Sequence, residues 1–179
     1  MKKQNTRELL LDSAFKTFYK QGFQGANIAT ILTDVGINKG SMYHFFKSKK
    51  ELGLAVVKER IERNLIKKYS KILEEEQSFM KLFDALRSAP ETLPYGCPLN
   101  KFSQEMIYID DEFKTLLSQA YEVFESLIIK ILEKENIIIN RQQKAQLIIS
   151  TYEGALMVYH LNQNREQFKD ILFELERSL

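Results

Sequence analysis

One cysteine, two histidines and three prolines are all that 179 residues supply of the groups that most often staple, metallate or interrupt a chain. With Cys97 alone, no intramolecular disulfide can form and a cysteine-based zinc cluster is excluded. His44 and His160 lie far apart and share no metal-ligand spacing, so neither a metal nor a cofactor is expected. No Ser-His-acid set, Glu-x-x-His pair or phosphate loop is visible, which argues against an enzyme. No apolar run approaches the roughly 20 residues of a membrane span, and the first five residues carry no signal-peptide pattern. A cytoplasmic protein without a membrane partner is expected.

The length fits one or two small domains and suffices for a sizeable core without staples. Few Gly and Pro, with abundant Leu, Ile, Lys and Glu, favour an all-α fold. The net charge of +2 is unevenly spread: residues 1–50 hold nine Lys and Arg against three Asp and Glu, whereas the rest of the chain is net acidic. A basic N-terminal third joined to an acidic remainder suits a nucleic-acid-reading module on a separate body. The expected domains are 1–50 and 51–179.

Residues 27–51, NIATILTDVGINKGSMYHFFKSKKE, carry most of the functional information. Ile28, Ile31, Leu32 and Val35 recur at helical spacing, Gly36 follows the last of them, and a second short apolar series starts at Met42. The pattern reads as helix, tight turn, helix. Gly36 suits a left-handed helix end, Ile37 packs back between the helices, and Asn38 suits the cap of a second helix over residues 39–46. Lys39, Gly40 and Ser41 then stand at the end that a recognition helix presents to a major groove.

The run GINKGSMYHFFKSKKEL over residues 36–52 resembles the signature of TetR-type one-component regulators, G-V-S-K-G-[ST]-[LI]-Y-x-[YH]-F-x-[ST]-K-E-[ED]-L. The match is long, ungapped and chemically mixed. Two positions depart from the usual pattern: Asn27 stands for Thr or Ser, and Leu32 for a small Ala. A second, shorter stretch, GCPLNKFSQE over residues 96–105, resembles the G-C-x-L-x-x-x-x-x-E segment in the C-terminal domain of one TetR-type subgroup. The resemblance implies a three-helix DNA-binding head followed by a helical bundle, about nine helices in all.

The rest of the chain agrees with that plan. A first helix ends near Gln21, with Leu11, Ala14, Phe15 and Phe18 on one face, and Asn5 or Thr6 is its cap. Ser48 to Glu51 form a capping box for a long helix over residues 49–73, whose apolar residues change face along its length, as in a helix shared by head and body. Residues 89–98 hold all three prolines and cannot form one continuous helix. Asp110 or Asp111 caps the next helix; residues 137–139 read as an extended apolar connection. Asn140 and Asn164 open the last two helices with capping-box patterns.

Duplex binding asks for phosphate contacts and for base contacts. Tyr43, His44 and Lys49 are the expected phosphate contacts, supported by Asn27 and by a basic arm, Lys2 and Lys3. Lys39 and Ser41 are the expected base contacts, with Asn38 capping their helix and Gly40 allowing close approach. One head reads few base pairs, so the reading includes a homodimer on a palindromic operator of double-stranded DNA. The resemblance implies that the last two helices form the dimer interface, for which Tyr152, Ala155, Leu156, Phe168, Ile171, Leu172 and Leu175 are candidates. It also implies a small effector in the C-terminal body. Phe102, Met106, Tyr121, Phe124, Tyr152 and Tyr159 form an aromatic, soft set suited to an apolar or aromatic effector, although each is also an ordinary core residue type.

The leading expectation is a repressor that releases its operator on binding that effector. A regulator without a small-molecule effector is the alternative, as an activator or under the control of a partner. Cys97, after Gly96 in an irregular segment, is a redox or electrophile-sensing candidate, against a bland role as a small buried residue.

Overall fold

The computed structural model describes residues 3–179, with side chains from Thr6 onward. Thr6, one of the two cap candidates, lies inside the first helix rather than at its start; Lys2 and the Lys3 and Asn5 side chains lie outside the described residues. Within them the chain is all-α and has no strand. In order, α1 (Lys3–Gln21), α2 (Ile28–Val35), α3 (Lys39–Tyr43) and α4 (Lys49–Val56) come first. A π-helical stretch (Val57–Glu62) joins α4 directly to α5 (Arg63–Glu74). Then follow α6 (Ser78–Arg87), the one-turn α7 (Ala89–Thr92), α8 (Pro98–Met106), α9 (Asp111–Lys134), α10 (Arg141–Asn162) and α11 (Arg165–Ser178). The described residues exceed the expected helix number because the 49–73 helix is divided by its π-helical stretch and because Pro90 starts a single turn inside the proline-rich segment.

The chain forms two compact units, and they divide it otherwise than at 50/51. The first takes the residues up to Asn64 together with Lys101–Ala120; the second takes Leu65–Asn100 together with Tyr121–Leu179. Aromatic packing gives the physical reason. Phe18 of α1 and Phe23 of the following turn lie 5.1 Å apart between ring centres, Phe23 meets Phe113 of α9 at 5.0 Å, and Phe18 meets Phe102 of α8 at 6.1 Å. All four rings are buried. The first three helices therefore do not close their own core; α8 and the start of α9 complete it.

Arg60, in the π-helical stretch, ties that stretch to α1: its Nε donates to Asp12 Oδ1 at 2.6 Å and its Nη2 to Glu8 Oε2 at 2.8 Å. Leu10, Leu11, Ala14, Ile31, Met42, Leu52 and Val56 fill the rest of this unit. In the second unit Leu82, Phe83, Phe124, Ile128, Ile148, Leu156, Phe168 and Leu172 make one continuous core.

Candidate nucleic-acid interface

The helix-turn-helix is built by its caps. Asn27 accepts a hydrogen bond from the Ala29 amide at 2.8 Å, which starts α2. Gly36 ends it with φ +73°, a conformation cheap for glycine, while the Ile37 amide reaches back to the Leu32 carbonyl at 3.0 Å. Asn38 starts α3 by accepting from the Ser41 amide at 2.8 Å. Ser48 and Glu51 form a reciprocal box at the start of α4: the Glu51 amide donates to Ser48 Oγ at 3.0 Å and the Lys47 amide to Glu51 Oε2 at 2.7 Å. Helix α3 is shorter than the expected 39–46, since residues 44–46 form a closing turn.

These caps leave Asn27, Asn38, Lys39, Gly40, Tyr43 and His44 exposed. Lys39 Nζ stands 5.9 Å from the Tyr43 ring centre, so a cation and an aromatic hydroxyl leave the same short helix together. His44 is exposed and outside the apolar core, which favours a surface contact over a packing role. Ser41 is half-buried and its hydroxyl donates to Asn38 Oδ1 at 3.0 Å, so it is engaged in the cap. Lys49, expected on a phosphate, is half-buried: its Nζ donates to the Gln24 carbonyl at 3.1 Å and lies 4.9 Å from the Phe23 ring centre. Burial lowers its pKa, and the nearby Glu105 charge opposes that effect.

Glu105, quoted above only as part of a motif, is the functional residue that sequence reasoning leaves without a role. From α8 its carboxylate accepts from two consecutive amides of the α1–α2 turn, Phe23 at 2.6 Å and Gln24 at 2.7 Å. Gly22 precedes them with φ +80°, and a Cβ there would fall 2.9 Å from Glu105 Oε1. Beside it Lys50 pairs with Asp110 at 2.7 Å and with Glu112 at 3.0 Å at the start of α9. The entry to the helix-turn-helix is thus held by residues about eighty positions later in the chain.

The candidates in the C-terminal body fall into different places. Phe102 and Met106 belong to the core of the first unit, whereas Tyr121, Phe124, Tyr152 and Tyr159 belong to the second. Tyr152, Ala155, Leu156, Phe168, Leu172 and Leu175 are buried in the second unit's own core, with Ile171 half-buried against it. They are therefore already covered within one chain. The apolar residues that α10 leaves exposed are Leu147, Met157, Val158 and Leu161, and Gly154 lies among them with open space where a Cβ would stand. Asn140 does not cap α10 with its side chain; it adopts φ +53°. Asn164 does cap α11, accepting from the Gln167 amide at 3.0 Å. Cys97 is only partly exposed, and burial together with the neighbouring Glu153 pushes its thiol well above the usual range. No group of three or more His, Cys, Asp or Glu placed to hold a metal exists among the described residues, and no described helix is long and apolar enough to cross a membrane.

Residues 10–56 match the family model described as bacterial regulatory proteins, tetR family, and residues 76–172 match that of the LmrA/YxaF-like transcriptional regulator C-terminal domain. An HTH-type transcriptional regulator from the lacX 3′ region of Lactococcus lactis is 28% identical over 171 residues, covering 89% of this chain and 86% of that one. The HTH-type transcriptional repressor NemR of Escherichia coli K12 is 24% identical over 184 residues, covering 94% and 90%. The crystal structure of E. coli NemR in its reduced form superposes with a TM-score of 0.82 at 21% identity, covering 97% of this chain and 96% of that one. A TetR transcriptional regulator from Chloroflexus aurantiacus superposes with a TM-score of 0.88 at 22% identity, covering 98% and 94%.

Proposed function

The chain belongs to the tetR family of bacterial regulatory proteins and is a DNA-binding transcriptional regulator, and from that premise we propose that it is a homodimeric repressor that leaves a palindromic operator when a small molecule occupies its C-terminal body. The observation that carries this reading is the capped α2–turn–α3 unit, with Lys39, Gly40, Tyr43 and His44 exposed at its reading end. Lys39 is assigned to a base edge, Tyr43 and His44 to phosphates, and Asn27 and Asn38 to holding the two helix starts at the backbone. Lys49 is assigned to the turn beneath them rather than to a phosphate.

Dimerisation is supported by the exposed stripe Leu147, Gly154, Met157, Val158 and Leu161 on α10, apolar surface that a second copy would cover. Repression is supported by the name of the NemR relative. Release requires the effector to bind the DNA-free state more tightly than the DNA-bound one, and the coupling is reciprocal. Cys97 is assigned a packing role, because a thiol held protonated is a poor nucleophile.

The test is binding of the purified protein to its own upstream DNA across a salt series, beside an unrelated duplex of equal length. Preferential binding with a steep salt slope supports the reading; equal weak binding to both duplexes counts against it. Mass measurement in solution gives the oligomeric state, and a monomer at micromolar concentration would refute the dimer.

A further inference from the structure

Arg60, Glu62 and Glu153 are the buried charged residues of the described chain, and two of them are paired within it. Arg60 meets Asp12 and Glu8, and Glu62 meets Lys58 at 2.6 Å. Glu153, on α10 and only 8% exposed, has no ion partner among the described residues. Asn100 Nδ2 donates to its Oε2 at 3.0 Å, while Oε1 has no hydrogen-bond partner among the described residues.

A carboxyl placed in this way is costly, since buried charges are ordinarily paired or neutralised. Burial pushes the Glu153 pKa up, and the Cys97 thiol and Asn100 amide offset this only in part. Neither brings a positive charge. The Lys68 ammonium, itself disfavoured by burial, acts on Cys97 and donates to the Ala85 carbonyl at 3.5 Å. Tyr69 lies within electrostatic reach of Glu153, and its ring meets Phe124 at 4.8 Å in the same core.

A second buried polar atom without a partner among the described residues lies on the same face of α10. It is His160 Nε2, seven positions further on. Seven residues rise roughly 10 Å along a helix, so the two atoms are two turns apart. The 96–97 segment runs against both: His160 Cδ2 is the nearest atom, at 3.9 Å, to where a Gly96 Cβ would stand, and Cys97 neighbours Glu153.

Building on the effector-responsive reading above, we propose that this face of α10 receives a small molecule bearing a protonated amine, with Glu153 Oε1 as acceptor and counter-charge and His160 Nε2 as polar partner at the far end. An ammonium supplies a charge-assisted hydrogen bond and the missing opposite charge together. An alcohol of the same shape leaves the charge unpaired, and a carboxylate adds a repulsion.

The probes are arylalkyl ammonium compounds of graded length, each matched to its alcohol and its carboxylate, added to the full-length protein without DNA and read by thermal shift and tyrosine fluorescence. The expected result is that at least one amine binds and exceeds its alcohol by roughly tenfold, that the carboxylates do not bind, and that Glu153→Gln abolishes the preference while Glu153→Asp retains it in weaker form. The wild-type comparison needs no variant, so it stands if Glu153→Gln fails to fold. Absence of amine binding, or amines no better than their alcohols or carboxylates, overturns the proposal. Adding the preferred amine to the operator complex separates the two readings. Glu153-dependent binding without operator release keeps the site and refutes effector control, whereas release by a neutral or anionic compound, with no amine bound, keeps effector control and refutes the site.

Discussion

The Glu105 carboxylate spans the backbone amides of Phe23 and Gln24, one oxygen on each, at 2.6 and 2.7 Å. Replacing it with Ala leaves the partly buried Phe23 amide without its acceptor, at a cost of about 1–3 kcal/mol. The turn that aims α2 loosens with it. Glu105→Ala is expected to lower both the melting temperature and the operator affinity, whereas Glu105→Gln, which keeps an acceptor for one amide, falls between the two. Unchanged operator affinity in a destabilised Glu105→Ala protein would reduce Glu105 to a stability role.

Lys39 and Lys49 should separate cleanly, although both carry one positive charge on the same stretch of sequence. Lys39→Ala is expected to cost about 1–3 kcal/mol of operator binding and to narrow the gap between operator and unrelated duplex. Lys49→Ala removes a bond to the Gln24 carbonyl and is expected to lower stability while leaving the salt slope of binding unchanged. A reduced slope in Lys49→Ala would return that residue to the phosphates.

Asn38→Ala removes the acceptor shared by the Ser41 amide and hydroxyl. The loss of such a cap costs about 1 kcal/mol, visible in urea denaturation. Because α3 spans only Lys39–Tyr43, the same change should weaken operator binding more than its effect on global stability accounts for. Equal losses in the two measurements would contradict that.

Glu153 gives a pH dependence of definite sign. Its pKa in the folded protein is raised above the ordinary 4.5, so its contribution to stability is fully present below that value and is lost as pH rises through the raised one. Glu153→Gln carries no such titration. Its stability relative to wild type should therefore improve as pH climbs from the ordinary glutamate value through the raised one. Paired urea melts across that range would read it, and a flat difference would mean that the carboxyl titrates normally.

Leu161→Glu combined with Met157→Glu places charge on exposed apolar positions of α10. The pair is expected to give a folded monomer by light scattering and a loss of operator affinity, since one head alone contacts few base pairs. A dimer that survives both changes would move the interface elsewhere.

The helix-turn-helix was legible in the sequence because its determinants are local. Asn27, Gly36, Asn38 and Ser48 each act within a few residues of themselves, and each behaves as its type and spacing indicate. What could not be read was set by partners distant in the chain. Phe102 and Met106 look like any aromatic and soft pair, and only the packing of Phe102 against Phe18 and Phe23 and the Gln24 side-chain amide on the Met106 sulfur place them in the first unit. Lys49 reads as a phosphate contact from its place at a helix start, and its bond to the Gln24 carbonyl comes from a partner 25 positions earlier. On α10, apolar residues occupy more than one face, so their types alone do not say which of them the chain covers itself. Burial sorts them, with Tyr152 and Leu156 inside and Met157 and Leu161 outside. Glu105 was visible within a motif, but the acceptor-free amides that give it a task lie some eighty positions earlier.

The DNA-reading unit is interrupted in sequence, since its core takes Phe102 and Phe113 from beyond residue 100. During synthesis the helix-turn-helix is therefore translated well before its own interior is complete, and Phe18 and Phe23 wait for cover while residues 65–100 emerge. A nascent or truncated chain ending near residue 64 has the recognition residues but lacks the carboxylate and the rings that hold them in place. Operator reading has to wait until the first stretch of the second unit has been made, and a fusion that grafts residues 1–50 onto another body inherits the motif without its foundation.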